Sequence, residues 1–302
     1  MSRVVVIINP VSGPARRGSA DERVQVATRT LRGLGVSFEI RLTERAGHAH
    51  ELALEAASSE AGLVIAWGGD GTMNEVARAL VQRTEEAAPN QKPPSLGIVP
   101  GGSGNGLARE LRIPFDPAQA IERAVRARVR QVDAGELGER LFFNVAGVGL
   151  DAHVAALVST LVNHRGLLPY LRASARDLLR YTPIDYVITA DDRSFEVSAL
   201  FVAVANSRQY GFGARIAPGA SLDDGFLDVV VVEHRMLMGN LARLPFLFFG
   251  RVDRQKGVNT SRVRTVTIRS RDSMLFHVDG EAVPGSDTLV ARVHPGVLRL
   301  SA

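Results

Sequence analysis

Trp67-Gly68-Gly69-Asp70-Gly71-Thr72-Met73-Asn74 closes an apolar run, Leu63 to Trp67, and opens a helix-like stretch, so three glycines and one carboxylate stand where strand gives way to helix. Glycine has no Cβ and lets a phosphate approach the main chain, and a helix beginning near Thr72 aims unpaired N–H groups and a partial positive charge at it. Asp70 is out of place beside phosphates unless a cation bridges the charges, as Mg²⁺ on a nucleotide would, or a hydroxyl has to be oriented. Turn chemistry accounts for part of the pattern, with Thr72 expected to cap the helix and Glu75, three residues on, to complete a capping box. It leaves Gly68, Gly69 and Gly71 together unexplained.

Two further turns repeat the arrangement. Pro100-Gly101-Gly102-Ser103-Gly104-Asn105-Gly106 follows the strand-like Leu96 to Val99, and Asn9-Pro10-Val11-Ser12-Gly13 follows the strand-like Arg3 to Ile8. Three phosphate-sized turns at the ends of three strands point to a ligand, because open α/β sheets gather ligands at the carboxyl ends of their strands. The chain contains neither a P-loop signature nor GxGxxG.

Composition fits an enzyme. At 302 residues with 45% hydrophobic content, the chain is long for one domain and sufficient for two cores. It contains no cysteine, which removes disulfides and thiolate zinc sites and fits a reducing compartment. The net charge of +4 favours anionic partners such as nucleotides or acidic headgroups, yet no RNP, zinc-finger or basic-helix pattern accompanies it, so nucleic acid is not expected as a partner. The apolar run Val4 to Ile8 is too short for a signal-peptide core, and Leu141 to Val162 holds Asp151 and two glycines, which fits a buried strand and helix better than a membrane span.

Two halves differ in texture. Up to Val132 strand-like and helical runs alternate: Val4 to Ile8 then Ser19 to Gly33, Val36 to Leu42 then His48 to Ser58, Leu63 to Trp67 then Thr72 to Arg83. This predicts parallel βαβ units, with a surface loop over Glu85 to Pro94 and a helix after Asp116 and Pro117. From Gly135 the chain becomes strand-rich, over Leu141 to Ala146, Asp185 to Thr189, Phe195 to Ala205, Phe226 to Val232, Arg262 to Ile268 and Met274 to Val278. A helical insert, His153 to Tyr181, separates the first two, and the whole suggests a sandwich or barrel.

Taken in order, these segments resemble the diacylglycerol kinase and sphingosine kinase superfamily of lipid kinases. The resemblance rests on Gly68-Gly69-Asp70-Gly71-Thr72 with Asn74-Glu75, on Asn9 to Gly13, and on Gly102 to Arg109. It continues through Thr43 with Gly47-His48-Ala49, Asn144 to Val154, Tyr210 to Gly213, Ile216-Ala217-Pro218, Asp223 to Asp228 and Val278-Asp279-Gly280-Glu281. It implies an α/β plus β architecture: a three-layer α/β nucleotide-binding domain over 1–133, to which a segment from about 290–302 returns, a β-sandwich lipid-binding domain over 134–289, and an active site in the cleft between them.

The resemblance also implies roles. Asn9, Pro10, Ser12, Gly13, Thr43, Gly68, Gly69, Asp70, Gly71, Thr72, Asn74 and Ser103 would bind ATP, and Asp70 would serve Mg²⁺ or the acceptor hydroxyl. Glu281 would accept the proton of that hydroxyl, with Asp279 beside it as the alternative base, although Asp-Gly alone also favours a plain hairpin turn. Asp151 would contact the lipid head, and Ser221, Asp224 and Phe226 would hold a structural metal ion if one is bound. His48, His153, His164 and His277 are expected as caps, packing residues or hydrogen-bonded bystanders. Leu237 to Phe249 has three readings: membrane docking, a lid over an acyl chain, or core.

The bacterial diacylglycerol kinase pattern GTxND is met by Ser103 and Gly106 in place of its threonine and aspartate, so diacylglycerol, a sphingoid base, ceramide or another long-chain alcohol all remain open as acceptor. The expected protein is cytoplasmic and peripherally associated with the membrane, with ATP and a lipid as partners and a homodimer left open. The alternatives are an NAD kinase-like enzyme, which should lack the Asp-Gly-Glu element, and a non-catalytic nucleotide- and lipid-binding regulator, free to lose Glu281 and Asp70.

Overall fold

The computed structural model describes residues 3–13, 19–59, 61–86, 92–160, 181–211, 214–234 and 254–302. The chain divides into two compact units, Met1–Val132 with Gly296–Ala302, and Asp133–Pro295.

In the first unit β1 (Arg3–Ile8), α1 (Ala20–Gly33), β2 (Phe38–Leu42), α2 (His48–Ser58), β3 (Ala61–Gly68), α3 (Asp70–Glu86) and β4 (Ser95–Pro100) alternate, and α4 (Gly106–Glu110) and α5 (Pro117–Arg126) follow. Every pairing among these strands is parallel: β1 lies between β2 and β3, and β3 joins β4. Leu300, from the carboxyl-terminal strand, pairs in parallel with Leu96 on the far side of β4. Strands β3 and β4 are buried almost throughout, which is why they read as unbroken apolar runs rather than as alternation. Asp116 accepts from the Gln119 amide ahead of Pro117 on α5, as its sequence position predicts, and Ser19 and Glu22 form a capping box on α1.

The start of α3 differs from the sequence reading. The helix begins at Asp70, where the Gly69 carbonyl accepts the Met73 amide at 3.0 Å, and the capping box expected of Thr72 and Glu75 does not form. Thr72 Oγ1 instead accepts from Asn9 Nδ2 at 2.9 Å. The Glu75 carboxylate accepts the amides of Gly47 at 3.0 Å and Ala49 at 3.1 Å. The cause lies in α2, which opens on left-handed Gly47 (φ 80°) without a side-chain cap of its own, so a carboxylate from the neighbouring helix satisfies its first amides and its dipole.

The second unit is β-rich. It contains most of β5 (Val129–Leu137), then β6 (Arg140–Phe142), β7 (Val145–Gly149), α6 (Leu150–Thr160), β8 (Ile184–Ala190), β9 (Arg193–Ala205), β10 (Gln209–Gly211), β11 (Ala214–Arg215), β12 (Leu227–Glu233), β13 (Val258–Val263), β14 (Thr265–Ser270), β15 (Leu275–Val278), β16 (Glu281–Pro284) and the first part of β17 (Thr288–Ser301). Strand β9 organises it: its first half pairs with β8, and its second half lies between β7 and β12, all antiparallel. Side chains alternate between two apolar clusters, Ala199, Val202 and Val204 with Phe142, Tyr186 and Phe276 on one face, and Leu200, Ala203 and Ala205 with Leu150, Val154 and Ile216 on the other. The molecule is therefore an α/β unit followed by a β-sandwich-like unit.

Local readings are corrected here too. Leu141 to Ala146 is not one strand but the end of β6 and the start of β7, broken where the Asp279 carboxylate takes the amides of Phe143, Asn144 and Val145. Arg262 to Ile268 likewise splits into β13 and β14, because Asp191 Oδ1 accepts both the Arg264 and Thr265 amides at 3.1 Å. The helical insert opens at Leu150 rather than His153. Leu237 to Phe249, His164, Phe212, Gly213, Pro89 and Asn90 lie outside the described residues, as does most of the insert beyond Thr160.

Candidate active site

The strand order of the first unit reverses direction between β1 and β3, and the turns leaving both strands meet there, at their carboxyl ends. The Asn9 amide donates to the Trp67 carbonyl at 2.9 Å while its side chain donates to Thr72, so the first and second turns are bonded to each other. The Gly101 amide donates to the Gly68 carbonyl at 2.6 Å, which joins the third. Asp70 completes the joint: its two oxygens accept the amides of Asn105 at 2.8 Å and Gly106 at 2.7 Å, opposite the first turn of α4. All three sequence-predicted turns are thus brought together, with Gly13, Thr43, Thr72 and Asn74 buried among them.

The glycines do not share one purpose. A Cβ on Gly102 would lie 2.5 Å from the Gly69 Cα, and one on Gly68 would run into the Thr72 side chain at the same distance. Gly102 is small so that two main chains can touch, and Gly68 so that the Thr72 side chain can lie against it. Gly71 is different, since a Cβ there would meet nothing within 4 Å. It is the glycine of the motif that leaves open space beside the start of α3.

Two residues that the sequence reading passed over hold the turns. Arg23 of α1 is 3% exposed; its guanidinium donates to the Asn9 carbonyl at 2.6 Å, Ser12 Oγ at 2.8 Å and the Ser12 carbonyl at 2.6 Å. Its signal was present, an arginine in register with Ala27 and Leu31 on the buried stripe of a helix. Asn105, left-handed at φ 52°, clasps Gly102 by accepting its amide at 2.9 Å and donating to its carbonyl at 2.7 Å. Local sequence carries no sign of that pairing.

In the second unit, Asp279 and Gly280 are both left-handed and turn β15 into β16, with Val278 paired to Glu281. The Asp279 carboxylate accepts the amides of Phe143 and Asn144 at 2.9 Å and Val145 at 3.2 Å. Its oxygens are engaged with main chain, whereas Glu281 is exposed on the hairpin. Asn144 donates to the Tyr210 carbonyl at 3.1 Å and accepts from the Ser207 hydroxyl, so the Asn144 and Tyr210 motifs are one assembly.

Asp151, in the first turn of α6, accepts from the Tyr210 hydroxyl at 2.9 Å and meets His277 Nε2 at 3.2 Å. Side chains of Asp151 and His277 are 9% and 3% exposed. Nearby Tyr181 has its phenol pushed up to about 12, first by burial and then by the Asp151 charge, and burial raises Tyr186 further still. Among the histidines, His48 Nδ1 accepts the Glu44 amide at 3.1 Å, and His153 Nδ1 lies 2.9 Å from the Gly149 carbonyl.

Ser221, Asp224 and Phe226 share a loop, but their contacts are with the protein. Ser221 Oγ donates to Asp223 at 2.8 Å, the Phe226 amide donates to Asp224 at 3.1 Å, and Arg262 meets the other Asp224 oxygen at 2.9 Å. Burial raises the Asp228 pKa against the lowering pull of Arg262, and the Asp224 charge raises it as well. Among the described residues no three histidines or carboxylates stand together as a metal site. Arg262 thus faces the carboxylate on which the resemblance would place a structural ion, if one is bound.

Residues 3–137 match the diacylglycerol kinase catalytic domain, and residues 144–302 match the YegS C-terminal NAD kinase beta sandwich-like domain. With the turns and sandwich just described, they define a kinase. A probable lipid kinase YegS-like of Chromohalobacter salexigens is 31% identical over 289 residues, 92% of this chain and 88% of its own length. Another, of Xanthomonas campestris pv. campestris, is 33% identical over 276 residues, 88% and 87% of the two chains. The chain belongs to the YegS-like lipid kinase family. Its fold is also that of a putative diacylglycerol kinase from Bacillus anthracis, with a TM-score of 0.78 at 23% identity over 99% of this chain and 96% of that one.

Proposed function

We propose that this lipid kinase transfers the γ-phosphate of ATP to a hydroxyl of a membrane lipid, and that the convergence of three glycine turns at the β1/β3 switch carries the reading. The phosphates lie over Gly71 and the amides that open α3, where helix dipole and bare main chain favour an anion. Arg23, Asn9 and Asn105 keep the turns in shape before any ligand arrives.

Mg²⁺ entering with the nucleotide would draw charge from the phosphates, and Asp70 is the carboxylate on these turns chemically suited to it. A structural ion would be held by Ser221, Asp224 and Phe226 through the Asp224 carboxylate and main-chain oxygens, with Arg262 competing for that carboxylate. Glu281 is the general base that takes the acceptor's proton, and Asp279 builds the turn that presents it. Asp151 addresses a polar group on the lipid head. The acceptor is met at the membrane surface in this reading; no helix among the described residues is long and apolar enough to cross a membrane.

The test is transfer from γ-labelled ATP to a panel of diacylglycerol, sphingoid base, ceramide and phosphatidylglycerol in mixed micelles, resolved by chromatography. Labelled product from at least one lipid hydroxyl, dependent on Mg²⁺, is expected. Binding of nucleotide and lipid with transfer to none of them would contradict the reading.

A further inference from the structure

We propose that His277 is a positioning residue for Glu281: its imidazole, oriented by Asp151, holds the Gly280 amide in the turn from which Glu281 projects. This rests on the kinase reading above and assigns a role to a histidine that the mechanism has not used.

The polarity of the contacts fixes the tautomer. The Gly280 amide lies 3.4 Å from His277 Nδ1, and an amide can only donate, so Nδ1 presents its lone pair. The proton is then on Nε2, 3.2 Å from Asp151 Oδ2, where it donates to a carboxylate. The carboxylate is itself held in place, accepting from the Tyr210 hydroxyl and, at 2.8 Å, from the Ala152 amide. The Tyr210 ring packs beside the imidazole, with centroids 5.9 Å apart. Asp151, His277 and Gly280 therefore form a directed chain from the first turn of α6 to the β15–β16 hairpin.

Asp279 (φ 49°) and Gly280 (φ 88°) are successive left-handed residues, the shape that a two-residue Asp-Gly hairpin favours, and contacts with the rest of the unit fix where that turn lies. Asp279 is fixed through its carboxylate by three amides of the β6–β7 break. His277 fixes the next peptide. Glu281 then emerges from a turn held on both sides, and a general base needs that definition, since misplacement by about 1 Å is worth on the order of 100-fold in rate.

Three substitutions separate positioning from packing. His277→Asn places an amide oxygen near the Nδ1 position and retains an acceptor for Gly280; His277→Gln reaches toward Asp151 but not Gly280; His277→Leu does neither. The expected result is a fall in kcat on the order of 10- to 100-fold for the Leu and Gln variants, an Asn variant within about threefold of wild type, and an unchanged KM for ATP in all three. Hydrogen exchange at the Gly280 amide, which needs no turnover, should accelerate in Leu and Gln and stay slow in Asn. If His277→Leu does not fold, the Asn and Gln pair still decides.

Equal Gly280 exchange in the three variants and wild type would overturn the proposal, as would kcat values that follow Tm regardless of the replacement. Wild-type turnover in Glu281→Gln would overturn the base assignment and this proposal with it. Inert His277 variants beside an inactive Glu281→Gln overturn the proposal alone.

Discussion

The glycine turns of the first unit and the Asp279 hairpin of the second solve the same problem with different neighbours. Each places a motif aspartate against backbone amides: Asp70 on Asn105 and Gly106, Asp279 on Phe143, Asn144 and Val145. In the first unit Gly102 makes room for the main chain of Gly69, while Gly68 makes room for the Thr72 side chain and Gly104 for the Asp70 carboxylate. In the second, glycines make room for side chain and carbonyl, Gly147 sitting under the Asp151 carboxylate and Gly149 against the Leu200 carbonyl. Both aspartates are acceptors for main chain, and on the hairpin the acid exposed to solvent is the neighbouring Glu281.

If that contrast holds, the largest loss of stability follows Asp279→Asn. The amide keeps one oxygen and leaves buried N–H groups unsatisfied, at about 1–3 kcal/mol each, so Tm should fall by roughly 5–10 °C with activity falling alongside. A variant with wild-type Tm in a thermal melt would return Asp279 to the list of bases. Asp70→Asn should lower kcat by on the order of 10²–10³ with a smaller Tm change, because it spoils one of two amide contacts and the charge that serves the nucleotide. Near-normal turnover would leave Asp70 with its structural task only.

The two kinds of glycine can be separated directly. Gly102→Ala forces the second and third turns apart and should destabilise by about 1–3 kcal/mol. Gly71→Ala meets no protein atom within 4 Å, so its Tm should hold or rise slightly while KM for ATP increases. Equal Tm for the two alanine variants would erase the distinction.

The smallest effect concerns pH. Asp228 has its pKa raised above the model-peptide value of 3.8, chiefly by burial, so the folded state holds its proton more tightly than the unfolded one. Stability from this group is present below pH 3.8 and is lost as pH rises through the elevated folded value. Asp228→Asn should therefore flatten the acid side of the Tm profile and gain slightly at neutral pH; a parallel profile would show that Arg262 compensates the charge fully.

Much of the first unit was legible because its strands are buried on both faces and its caps are local. Asp116 with Pro117 behaves as its spacing says. Glu75 has the spacing of a capping box but serves α2, a choice that depends on which helix lies beside it. In the second unit the strand breaks at Phe143 and Arg264 come from Asp279 and Asp191, separated from them by 136 and 73 residues, so no window of sequence shows them. Strand β17 escaped for a local reason, since His294-Pro295-Gly296 interrupts what would otherwise read as alternation. At the candidate site the turn residues were readable as motifs, while Arg23, Asn105 and His277 become visible only through what they touch.

The division of labour between Asp279 and Glu281 is tested most directly by single-turnover phosphoryl transfer with Glu281→Gln and the lipid that wild type phosphorylates best. The account predicts a rate lower by about 10²–10⁴, with Tm and the Kd values for ATP and lipid close to wild type. Transfer at the wild-type rate would contradict it.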